Sequence, residues 1–169
     1  MPPKSVRSIR ELIYWEYAKL VAGSAVGDRH NYRFVMYTYE RFVKGTAAPS
    51  AILRENKILV ETECCCAYCG AAGHLHWDHI IPQSRGGPDT IDNQVQACMP
   101  CNTSKGARDP FEWYGLERID DLPRLVLGKY LKLVFEFHEE AGTLDAADLN
   151  HDGTLNVYDL GAIFVRPPG

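Results

Sequence analysis

Two cysteine pairs of the same spacing, Cys66/Cys69 and Cys98/Cys101, bracket 28 residues near the middle of this 169-residue chain. Six cysteines in a secreted chain would suggest three disulfides. Here all six, with Cys64 and Cys65, fall within 38 positions, and four of them have the C-x-x-C spacing of metal-ligand knuckles. A tetrahedral site of four thiolates accounts for that pattern better than disulfides do. Four thiolates leave no open position on a zinc ion, so such a site is structural. Its work is to pin both ends of the segment between the pairs, which matters where a small domain has little core of its own. Cys64 and Cys65 are left without a role.

An ordinary zinc ribbon has about 15–20 residues between its pairs. The longer insertion here contains "LHWDHIIPQSRGG", Leu75 to Gly87. That stretch reads as a short apolar strand carrying ionisable groups and broken by Pro82 and Gly86-Gly87. Asp78 and His79 are its chemically useful pair. Adjacent residues in a regular strand point to opposite faces. Both can meet one phosphate only from a bent or irregular stretch near the strand's end, and Pro82 with Gly86-Gly87 fits an early end.

The segments "CAYCG", "LHWDHIIPQSRGG" and "DNQVQACMPCNTSKG" together resemble the HNH nuclease family, the ββα-metal or His-Me finger group. The resemblance covers about Cys66 to Gly106, a quarter of the chain. It implies an α+β fold, a small ββα-metal hairpin-and-helix core stapled by the four-cysteine zinc site and flanked by N-terminal and C-terminal helices. It also implies that His79 is the general base and that Asn93, the middle asparagine of the motif, orients the first strand. Asp78 and Asn102 then hold a catalytic Mg²⁺ or Mn²⁺. Many members have histidine at the position of Asn102, and an asparagine favours a hard cation.

The residue chemistry agrees. Phosphodiester hydrolysis needs an activated water and stabilisation of charge on the phosphate and on the leaving 3′ oxygen. Imidazole titrates near neutral pH and suits the first task. Asp and Asn oxygens are hard ligands and leave most of a Mg²⁺ or Mn²⁺ shell for water and phosphate. Arg85, Lys105 and Arg108 are candidate phosphate contacts. His74 and His76 read as structural or exposed rather than as ligands, and Trp77 as packing the hairpin.

The flanks divide into residues 1–60, an N-terminal helical region; 61–115, the nuclease core; 116–144, a C-terminal helix packing on that core; and 145–169, a small tail. Periodicity predicts helices over Ser5–Ala22, Asn31–Val43 and Leu122–Glu140. "NTSKGA" starts a short helix ending near Asp109-Pro110, and "KILVE" is a strand candidate. The aromatic set Tyr32, Phe34, Tyr37, Tyr39 and Phe42 is read as helix–helix core rather than as a base-stacking surface. Leu125, Leu127, Tyr130, Leu131, Val134 and Phe137 form the buried stripe of the last helix.

The tail holds "DLNHDGTLNVYD", with oxygen donors Asp148, Asn150, Asp152, Thr154 (through its carbonyl), Asn156 and Asp159 at positions 1, 3, 5, 7, 9 and 12, and Gly153 at position 6. It resembles an EF-hand calcium loop, and more closely a dockerin-type repeat, which often has Asp at position 12. The resemblance implies a Ca²⁺ site that staples the C-terminus.

The net charge of −4 does not announce a nucleic-acid binder. The charge is uneven, however. Residues 1–43 carry seven basic and four acidic side chains, whereas residues 111–169 carry five and eleven. An acidic tail hides a mildly basic front half. No run approaches the ~20 apolar residues of a membrane span, and no signal peptide is visible, so the expected setting is cytoplasmic with no membrane partner. The functional expectation is a metal-dependent endonuclease acting on double-stranded DNA. One site cuts one strand, so double-strand cleavage calls for a homodimer or two encounters. The rivals are a non-catalytic zinc module that binds nucleic acid and, on the tail alone, a calcium-responsive interaction protein.

Overall fold

The computed structural model describes residues 2–47 and 64–164. The strand candidate "KILVE" lies outside the described residues. Two compact units are present. One comprises Met1–Glu55 and Val134–Ile163, the other Asn56–Leu133 and Phe164–Gly169.

In the first unit, helix α1 spans Ile9–Val26. It starts four residues later than its hydrophobic pattern suggests because Ser8 caps it, its hydroxyl accepting from the Glu11 N–H. Gly27, at φ +73°, ends it in the left-handed conformation that glycine adopts without penalty. Helix α2 spans Tyr32–Val43 and is capped by Asn31. The aromatic set on α2 divides. Phe42 stacks on Tyr14 with ring centroids 5.6 Å apart, and Tyr39 meets the edge of Trp15 at 5.7 Å. Tyr32 and Tyr37 are more than half exposed, so the helix–helix core takes only part of the set. The first turn of α1 is bonded to the 144–146 segment through Ile9 N–H to Ala146 O and Arg10 N–H to Leu144 O. Buried His138 accepts from the Thr143 hydroxyl at Nδ1 and donates from Nε2 to the Leu160 carbonyl. A carbonyl only accepts, which fixes this tautomer. Burial lowers the pKa of the imidazole.

In the second unit, strands β1 (Leu75–His79) and β2 (Gln94–Cys98) form a two-stranded antiparallel sheet with Asp78 opposite Val95 and His79 opposite Gln94. Helix α3 follows at once, over Met99–Lys105, and packs against both strands. The fold is α+β, with the ββα order of a hairpin followed by a helix. Helix α3 begins earlier than "NTSKGA" suggests, with Pro100 in its first turn, where a missing N–H does no harm. Asp109 does not end that helix. It caps the next one, α4 (Pro110–Tyr114), by accepting from the Glu112 N–H. Helix α5 spans Arg124–Ala141, and Gly142 at φ +73° follows it. Its residues up to Leu133 belong to this unit. There Tyr130 meets Phe111 edge-on at 5.3 Å, and Lys129 Nζ donates to the carbonyls of Ile91 and Gln94. Leu127, Tyr130, Leu131 and Val134 of the expected stripe are buried. Leu125 and Phe137 are only partly so, and Val126 and Leu133 are buried as well. Among the described residues, no helix is long and apolar enough to cross a membrane.

Candidate active site

The four thiols converge. The Sγ atoms of Cys66, Cys69, Cys98 and Cys101 all lie within 4.8 Å of one another, with Cys69 and Cys98 3.7 Å apart. A disulfide would need about 2.05 Å. A tetrahedral ion with Zn–S of about 2.3 Å places its sulfurs about 3.8 Å apart, so the cluster fits a structural metal such as zinc. The backbone explains the convergence. The first knuckle turns back on itself through Cys66 N–H to Ala71 O and Gly70 N–H to Cys66 O, and is tied to β2 by Ala67 N–H to Gln96 O. The second knuckle is the junction of β2 and α3. Burial opposes a Cys66 thiolate, but the backbone amides of Cys98, Cys69 and Tyr68 together outweigh it and bring the thiol down to about 6. Burial and the neighbouring sulfurs, Cys66 included, push Cys101 the other way. A bound dication would relieve that repulsion. Cys64 and Cys65 lie outside the cluster.

Asp78 and His79 are the last two residues of β1 and keep regular register. The bent stretch that would let them share one face is not found, and their side chains have separate partners. Asp78 is buried and uses Oδ2 for both of its contacts, the Tyr68 hydroxyl at 2.5 Å and Lys105 Nζ at 3.4 Å. Burial and the carboxylate raise the Tyr68 pKa well above its ordinary value. His79 turns instead to Asp89, with Nε2 2.9 Å from Oδ1, and lies beside Gln94. Its side chain is 22% exposed.

Asn93 is fully buried and closes the loop between the strands. Its Oδ1 accepts from the Ile81 N–H at 2.8 Å, and its Nδ2 donates to the carbonyls of Ile81 and Pro88, both at 2.9 Å. Gly87 makes this closure possible, since a Cβ there would sit 1.9 Å from the Ile81 carbonyl oxygen. Asn102 lies half-buried on α3, the helix that carries Cys101 and Lys105.

Arg85, Lys105 and Arg108 line one cleft of about 500 Å³ with Glu112 and Ser104. As free phosphate contacts, Arg85 and Lys105 need correction. Arg85 is 5% exposed and paired with Glu112, and Lys105 is 0% exposed. The Lys105 ammonium donates to the His79 carbonyl at 2.9 Å and faces Asp78, so its charge is engaged internally. Burial lowers its pKa despite Asp78. Arg108 is exposed at the end of α3, where it donates to the Ser104 and Lys105 carbonyls. His74 and His76 are exposed, and so is Trp77 at 48%, which corrects its expected place inside the hairpin. Sequence reasoning missed Tyr68, Asp89, Gln94 and Glu112. Tyr68 alone carried a signal, as the aromatic residue inside the first knuckle.

In the other unit, the acidic loop satisfies itself. Asp148 accepts from the Asp152 and Gly153 amides, Asp152 from Thr154, and buried Asp159 from Asn150 and Asn156. Asp148, His151 and Gly153 adopt positive φ to make the turn.

No curated protein matches the chain, and no solved structure does. Residues 66–108, the stretch that holds the four cysteines, the hairpin, Asn93 and α3, match the family model of the HNH endonuclease.

Proposed function

We propose that the chain is a metal-dependent DNA endonuclease hydrolysing phosphodiester bonds. One observation carries the reading. In the stretch that matches the endonuclease family, a partly exposed His79 ends a strand whose following loop is locked by a fully buried Asn93. An anchored imidazole at a surface is the arrangement that general-base catalysis needs. His79 takes the proton of an attacking water. Asp78, whose Oδ1 is not used by Tyr68 or Lys105, and Asn102 are the residues that would hold Mg²⁺ or Mn²⁺. When bound, such an ion neutralises charge building on the phosphate and on the 3′ leaving oxygen. Lys105 holds the Asp78 carboxylate and the His79 carbonyl in place from below, and Arg108 is the cation left at the surface for the DNA backbone. A homodimer would cut both strands. The acidic loop of Asp148, Asn150, Asp152, Thr154, Asn156 and Asp159 is proposed to take Ca²⁺ as a staple for its own unit.

The test is nicking of supercoiled plasmid by zinc-loaded protein in EDTA, Mg²⁺, Mn²⁺ or Ca²⁺, beside Asp78→Asn and Asn102→Ala. Cutting in Mg²⁺ or Mn²⁺, weakened in both variants, supports the assignment. A specific observation favours a second reading, a non-catalytic zinc module that binds nucleic acid: Asp78 and His79 point to opposite faces of a regular strand. DNA binding with no cutting in any ion would establish that reading.

A further inference from the structure

His79 is joined to two residues, Asp89 and Gln94, that lie outside the motif positions Asp78, His79, Asn93 and Asn102. The same Asp89 oxygen that lies 2.9 Å from His79 Nε2 accepts a 2.8 Å bond from Gln94 Nε2. Gln94 stands directly opposite His79 in the strand register, so the two side chains share a face. Asp89 is brought to them by the loop, whose preceding residue, Pro88, is held by Asn93 through its carbonyl.

The chemistry of these groups fixes the protons. A carboxylate oxygen only accepts and an amide nitrogen only donates. Asp89 Oδ1 therefore receives two donors, the Gln94 amide and a protonated His79 Nε2. The 3.3 Å approach of Gln94 Nε2 to His79 Nε2 is then two donors converging on one acceptor. With Nε2 carrying hydrogen, the lone pair of a neutral imidazole is on Nδ1.

We infer that Asp89, held by Gln94, is a positioning residue for His79, and this rests on the nuclease reading above. Asp89 keeps Nε2 as a donor and presents Nδ1 to the attacking water. The water proton passes to Nδ1 as its oxygen bonds to phosphorus. The P–O3′ electron pair leaves on the 3′ oxygen, which takes a proton from solvent. The imidazolium, its charge shared with Asp89, returns its proton to solvent. The Asp89 side chain is 68% exposed. An exposed pair contributes little to stability, so removing it perturbs the chemistry without perturbing the fold.

The experiment uses full-length, zinc-loaded protein and plasmid nicking in Mg²⁺. Asp89→Ala is expected to lower kcat by about 10–100-fold, the usual effect of removing a partner that orients a histidine, with KM within about twofold. Asp89→Asn, whose amide oxygen can still accept, recovers part of the loss. In His79→Gly protein rescued with imidazole, adding Asp89→Ala has no further effect, because the ring that Asp89 positions is gone. Long-range ¹H–¹⁵N spectra show the Nε2–H tautomer of His79 in wild type and a shifted mixture in Asp89→Ala. A wild-type kcat in Asp89→Ala overturns the inference, and so does an equal loss in the rescued His79→Gly background, which would make Asp89 a ligand or a DNA contact. Absence of cutting by wild type in every ion overturns the nuclease reading and the catalytic role of the pair with it. The tautomer spectra then show separately whether the pairing exists.

Discussion

Replacing Asn93 by alanine should uncouple the two strands without touching the four-cysteine site. Three hydrogen bonds disappear, buried ones to the Ile81 N–H and the Ile81 carbonyl and a partly buried one to the Pro88 carbonyl. Leaving a buried group unpaired costs about 1–3 kcal/mol. An orphaned amide at about 2 kcal/mol and two carbonyls at about 1 kcal/mol each give a loss of about 4 kcal/mol. That is a large share of the ~5–15 kcal/mol that holds a typical domain together. The assay is urea unfolding at fixed free zinc, together with hydrogen exchange at the Ile81 amide. A loss of about 4 kcal/mol corresponds to an exchange rate about a thousandfold faster there. Asn93→Asp keeps the acceptor for Ile81 but aims its second oxygen at two carbonyls, and should be no more stable than Asn93→Ala. A loss under about 1 kcal/mol with unchanged Ile81 exchange would refute the reasoning, because it would mean that the loop closes without Asn93.

Other changes follow from the same geometry. Gly87→Ala drives a Cβ to 1.9 Å from the Ile81 carbonyl oxygen, so it should displace the loop and cost roughly 2 kcal/mol or more by thermal unfolding, within the range for overpacking. Burial, with Glu112 alongside, raises Asp109 from the ordinary 3.8 to about 7. The folded chain therefore holds a proton that the unfolded chain has released, and Asp109 weakens the fold progressively as pH rises from about 4 to about 7. Asp109→Asn keeps a competent helix cap, so its Tm should gain on wild type as pH rises from about 4 to about 7; a constant difference would remove this effect. Metal analysis should find one zinc per chain in wild type, and Cys98→Ser should lose it together with cooperative unfolding of the unit that holds the hairpin; full zinc content in that variant would contradict a four-thiolate site.

The four-cysteine frame was legible because C-x-x-C spacing is a local constraint that survives any fold around it. The long helices were legible for a similar reason, since periodicity and caps are written into consecutive residues. Helix α3 was read as starting too late because its start is set by the turn of the second knuckle, not by a conventional capping side chain at Cys98. The burial of Lys105 and Arg85 could not be read, because their acidic partners, Asp78 and Glu112, are distant in the chain in each case. A lysine after "NTS" looks like a free cation until the fold brings Asp78 beneath it. The divergence of Asp78 from His79 was foreseeable from strand alternation, and the structure kept the regular register. Asp89 follows a Gly-Gly-Pro turn and carries no periodic signal. Only the loop closure made by Asn93 and Gly87 brings it to His79.

Everything in the proposed mechanism turns on His79 accepting the proton of the attacking water. The most direct test is plasmid cleavage by wild type beside His79→Ala, both shown to be folded and zinc-loaded, in EDTA and in Mg²⁺ or Mn²⁺. Wild type should cut only in the presence of Mg²⁺ or Mn²⁺, and His79→Ala should lose several orders of magnitude, about 10³-fold or more. Wild-type cutting by His79→Ala would contradict the mechanism, and no cutting by either protein would contradict the enzyme.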